Sequence, residues 1–185
     1  MNLLGMDAHA IHLTINHLPV VLSMMGAAAA VLAFVLRRRP VFLYAIVTLV
    51  LAGASSWPAL RSGHEAAELL EDRWYVDEPQ ARVHHDTAER AHLLMVGTAL
   101  IAVVGWWLTL RAPREARPHM LLSGALLVAS VCSATAVGWT SWQGGFIVSR
   151  NVRLTGSLAP AATPARPAAA PDSARSHDGM DHSRH

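Results

Sequence analysis

The sequence predicts an all-α membrane protein, a four-transmembrane-helix bundle with a short helical extracytoplasmic loop. Three observations predict it. Across 185 residues, 52% are hydrophobic and only 15% charged, and the mean hydropathy of +0.30 is too high for an ordinary soluble domain. The apolar residues are bunched into four runs of about twenty, the length a helix needs to cross a hydrocarbon core. None of the four runs contains Asp, Glu, Lys or Arg.

The first helix is expected at about 15–36. Pro19 falls in its first turns, where a missing amide hydrogen costs little. A signal peptide would begin with basic residues, but here the first is Arg37, after the apolar run, so an uncleaved anchor is expected. The second helix is expected at about 41–60, the third at 91–110 and the fourth at 120–141. Their Ala, Gly and Ser content allows close backbone approach in lipid. Cys132 lies deep in the fourth run and reads as a small core residue without a disulfide partner.

Arginines set the orientation. All fifteen basic residues are Arg. Arg37, Arg38 and Arg39 join helices one and two, while Arg111, Arg114 and Arg117 stand against Glu115 between helices three and four. Both connections belong in the cytoplasm. Segment 61–90 is acidic, setting Glu65, Glu68, Glu71, Asp72, Asp77, Glu78, Asp86 and Glu89 against four arginines, and is expected as an outer loop. Both termini then also lie outside, as expected of a multi-pass protein of a bacterial inner membrane. Trp57, Trp139 and Trp142 fall near outer helix ends, Trp106 and Trp107 near an inner one, as interfacial belts require. The net charge of +2 averages over this split. With no basic patch interleaved with aromatics, nucleic acid is not an expected partner, whereas the lipid bilayer is.

Residues 155–185 are rich in Ala, Pro, Ser and Arg and cannot bury enough apolar surface to fold, so a disordered tail is expected. His177, Met180, His182 and His185 near its end are of the types that bind copper or zinc, although a solvated tail is the plainer account of them.

Chemistry concentrates at the outer face, where His9, His12, His17, His64, His84, His85 and His92 all fall. Residues three, four and seven apart share a helix side, which aligns His85, Glu89 and His92 and stacks His64 over Glu68. Imidazole and carboxylate together suit zinc or iron, with His64, Glu68 and Glu89 as candidate metal ligands. Alternatively, His17 with His85 or His92 could supply the axial ligands of haem b from two helices. An ionisable side chain where the first helix enters hydrocarbon is costly, which singles out His17. For any one of these histidines, capping a helix or hydrogen-bonding the acidic loop is the plainer role. Only one Glu-x-x-His is present, Glu89 to His92, so a ferritin-like di-iron site is not expected. His-Glu-x-x-His, Cys-x-x-Cys-His, phosphate-binding glycine loops and the Gly-x-Ser-x-Gly elbow are all absent, and no independent enzymatic activity is expected.

Ile15 to Pro19 (Ile-Asn-His-Leu-Pro), Pro58 to Gly63 with Glu65 and Glu68, the pair His85 and Asp86, and Gly144, Gly145 and Ile147 with Arg153 resemble an uncharacterised family of bacterial four-helix inner-membrane proteins, sometimes fused to Rieske domains. The resemblance covers most of the chain up to about Leu154. His17 and His85 match two family histidines. Asp86 replaces a Glu, and Ser149 replaces a third histidine. The resemblance implies the bundle and its membrane, and through the Rieske association a redox or membrane-complex partner. Three functions follow: a haem-b or metal-binding redox subunit, a noncatalytic accessory or scaffold subunit, or a periplasmic-face protein handling copper or zinc.

Overall fold

The computed structural model describes residues 15–70 and 75–148. The expectations for His9, His12, Glu71, Asp72, Ser149, Arg153 and the tail lie outside these. The described residues are helical almost throughout: α1 His17–Leu36, α2 Arg39–Leu70, α3 Glu78–Arg111 and α4 Met120–Gly144. All four are long and apolar enough to cross a membrane.

Local chemistry explains the boundaries. Arg37 ends α1 in the left-handed conformation (φ 51°), with its N–H donating to the Ala33 carbonyl at 2.9 Å. The Gln80 N–H donates to the Asp77 carboxylate at 3.2 Å, and Pro79 occupies the first turn, starting α3 at Glu78. Pro58 lies inside α2 without ending it. The nearby hydroxyls of Ser55 and Ser56 donate to the carbonyls of Ala52 and Gly53, at 2.9 and 2.7 Å.

The expected outer loop is therefore largely a continuation of two helices. α2 runs ten residues past Leu60, and α3 begins thirteen before Ala91. An apolar run marks where a helix can be buried, and hydrogen bonding and capping carry it further.

Each helix packs on its neighbours in sequence, and α1 also packs on α4, closing a ring. Contacts between opposite ends make the ring antiparallel. Arg39 at the start of α2 donates to the carbonyls of Thr109 (2.8 Å) and Pro113 (2.9 Å) at the end of α3. Gln80 at the start of α3 donates to Gln143 at the end of α4, at 2.8 Å. Small residues set the spacing: a Cβ on Gly26 would lie 2.5 Å from Leu49 Cδ2, and one on Gly53 2.6 Å from Ala99 Cβ.

Toward the arginine end, Ala33, Phe42, Ile46, Leu49, Ala102 and Leu126 form an apolar core. Elsewhere the interior is small and hydroxylated, with Ser23, Ser55, Ser56, Thr98, Ser130 and Ser133 all buried. Thr98 and Ser133 join α3 to α4 through a 2.7 Å hydrogen bond. Large apolar side chains face outward, including Leu18, Leu32, Leu93, Leu100, Leu121 and Val128. Cys132 is exposed, contrary to its expected core place. The flanking Ser130 and Ser133 take the inward positions, which turns the thiol to the outer surface.

Candidate metal centre

The ends of α2 and α4 and the starts of α1 and α3 meet at one end of the bundle, opposite the arginines. There α2 and α3 bring His64, His85 and Glu89 together, with one ligand atom from each, all within 4.8 Å of one another. His85 and Glu89 are one helical turn apart on α3. His64 reaches them from the facing turn of α2.

Glu89 Oε1 lies 3.5 Å from His85 Nε2 and 3.9 Å from His64 Nε2. The two imidazoles stack with centroids 4.4 Å apart and planes tilted by 33°. The His64 side chain is 42% exposed, yet its Nε2 is shielded from solvent and has no hydrogen-bond partner. A buried nitrogen left in that state is costly, because the water it gave up has not been replaced. Ligands arranged tetrahedrally about zinc at 2.0–2.1 Å stand roughly 3.4 Å apart. The His85–Glu89 separation is close to that, the His64–Glu89 separation is wider by about half an ångström, and the three ligand atoms together span up to 4.8 Å, so an ion would draw them closer.

The neighbouring histidines are committed elsewhere. His84 Nδ1 lies 2.9 Å from the Thr140 carbonyl of α4, which can only accept, so Nδ1 carries the proton. His84 lies in the polar part of α3, ahead of the apolar stretch that starts at Ala91. Burial pushes its imidazole below the ordinary histidine range; the bond to Thr140 opposes this shift and the neighbouring His85 adds to it. His92 Nδ1 is 2.8 Å from Ser56 Oγ, whose own proton goes to the Gly53 carbonyl. His92 must therefore donate, which leaves its Nε2 as the bare nitrogen.

The sequence-derived candidates divide accordingly. His64, His85 and Glu89 assemble. His92 continues their α3 stripe but is hydrogen-bonded to Ser56 and stands 5.9 Å from the Trp57 ring, outside the group. Glu68 is exposed and outside it too, one turn beyond His64. His17 is exposed at the start of α1 and is also not a member. Gly26 packs on Leu49, so nine residues back along α1 and nine on along α2 bring His17 level with Pro58. His64 is six residues further along, about 9 Å higher. His17 and His85 thus lie at different heights.

Sequence reasoning missed Ser56, whose hydroxyl fixes the His92 tautomer, and the bond from His84 to α4. The latter had a signal, since adjacent residues on a helix point about 100° apart and His84 must face away from His85. Comparison of the chain with protein families, curated proteins and solved structures gave no match.

Proposed function

We propose that this chain is an integral protein of a bacterial inner membrane that holds a transition-metal ion, of the zinc type, at its extracytoplasmic histidine end. The surface supports the membrane placement. Leucines and valines face outward on all four helices while alanines, serines and threonines pack inside, an arrangement that is costly in water and suited to lipid. Arg37, Arg38, Arg111, Arg114 and Arg117 are exposed at the opposite end with Glu115 as the acid beside them, which favours a cytoplasmic location for that end. The family resemblance points to the same membrane.

One observation carries the metal reading: the shielded Nε2 of His64 has no hydrogen-bond partner, lies 3.9 Å from Glu89 Oε1, and belongs to a group with His85 whose ligand atoms are all within 4.8 Å of one another. Two imidazoles and a carboxylate suit zinc and its neighbours, with a fourth position left for water or an incoming ligand. A haem held by His17 and His85 fits less well, because the two histidines lie at different heights along the bundle.

Purified protein in detergent, stripped with chelator and titrated with zinc chloride, should take up one ion per chain and show no Soret absorption. Joint replacement His64→Ala and His85→Ala should weaken binding by at least about tenfold. Undiminished binding in that variant rejects the site.

A further inference from the structure

We infer that the ion is a clasp: it fastens the polar extensions of α2 and α3 to each other, so that its presence suppresses the opening of both. This inference rests on the metal reading above.

Among the described residues, little apolar burial holds the two extensions together. Between positions 61 and 68 of α2, only Ser62 and Ala66 are fully buried, and between 78 and 90 of α3 no residue is, although His84 is partly so. Hydrophobic burial, which stabilises most helices in proteins, is nearly absent there, and isolated helical segments of this length are marginal in water. The ion pairs within each extension, Arg61–Glu65 at 3.5 Å and Glu78–Arg82 at 3.3 Å, are exposed and contribute little.

The α3 extension is anchored to α4. Gln80 donates to Gln143 Oε1, His84 donates to the Thr140 carbonyl, and the Asp77 N–H donates to the Ile147 carbonyl at 2.8 Å. Toward the α2 extension it turns the imidazole of His85 and the carboxylate of Glu89, and α2 presents the unpaired Nε2 of His64. An ion drawing ligands from both helices ties them at this level. The free energy of binding then becomes free energy of local folding, because the separated helices offer no preformed site.

The size of the effect follows from mass action. A ligand that binds only the closed form suppresses opening by one plus the ratio of its free concentration to its dissociation constant. Zinc at ten times that constant should slow amide exchange through local opening about elevenfold.

The test uses the full chain in lipid nanodiscs with zinc chloride as the probe. Stoichiometry and affinity are measured calorimetrically on the same sample used for hydrogen exchange. Zinc at ten times its dissociation constant should slow exchange about elevenfold in peptides covering 61–70 and 78–90, and leave 41–56 and 120–135 unchanged. His64→Gln and His85→Gln, conservative helical replacements checked by circular dichroism, should abolish both binding and slowing, whereas Glu68→Gln should keep both. One zinc bound per chain with unchanged exchange overturns the clasp and leaves the site standing. Absence of zinc binding overturns both.

Discussion

His84 and His85 are adjacent in the chain and serve different helices. His84 donates to the Thr140 carbonyl of α4 at 2.9 Å, and the His85 ring stacks on His64 of α2 at 4.4 Å. One turn of α3 thus locks to a neighbour on one side and offers a ligand on the other. The His84 bond fixes the rotation of α3, and rotation decides whether His85 and Glu89 face His64.

That division has a pH signature. His84 is held neutral by burial, so its folded value lies below the ordinary histidine value of about 6.5. The unfolded form binds a proton first as pH falls. The stability of the α3–α4 contact is therefore complete above that range and declines as pH drops through about 6.5 toward the folded value. In metal-free protein, melting temperature should fall between pH 7.5 and 5.5, and His84→Gln should flatten the decline. An unchanged slope in the variant would show that this imidazole is not its source.

Two glycines should respond oppositely to the same change. A Cβ on Gly53 would lie 2.6 Å from Ala99 Cβ and 3.1 Å from the Met95 carbonyl oxygen, whereas one on Gly97 meets nothing within 4 Å. Gly53→Ala should cost about 1–3 kcal/mol by forcing α2 and α3 apart. Gly97→Ala should be neutral or gain up to about 1 kcal/mol from helix propensity. Thermal or denaturant unfolding in detergent distinguishes them.

At the opposite end, the guanidinium of Arg39 donates to the carbonyls of Thr109 and Pro113, with a longer 3.4 Å contact to Ala112. Thr109 lies in the last turn of α3, whose carbonyls lack partners within the helix, and the Pro113 carbonyl just beyond it also accepts from the Ala116 N–H at 2.9 Å. Arg39→Ala should lower stability by about 1.5–3 kcal/mol, the range for hydrogen bonds to a charged group. Arg38→Ala, at an exposed neighbour, should change it by less than about 0.5 kcal/mol. Equal losses from the two would remove the special role of Arg39.

The four helices are legible because an apolar run of about twenty residues, free of charge, has the length and chemistry of a membrane-crossing helix and suits little else. The polar extensions are less so, since segments such as His84 to Arg90 carry no apolar period. The start of α3 is nevertheless written in Asp77, Glu78 and Pro79, a capping carboxylate followed by a first-turn proline. The stripe of His85 and Glu89 follows from helical spacing alone. Its partner does not, because pairing His64 with His85 requires the register between α2 and α3, set by packing such as Gly53 on Ala99. His17 draws its weight in the sequence from its place at an apolar edge, and an apolar edge gives no height relative to another helix.

Phe42, Ile46, Leu49 and Leu126, each at most 2% exposed, fill the bundle toward the arginine end. An ion held by His64, His85 and Glu89 therefore sits at the mouth of a cul-de-sac. Among the described residues, Phe42, Ile46, Leu49 and Leu126 form an apolar plug that would separate such an ion from the arginine end.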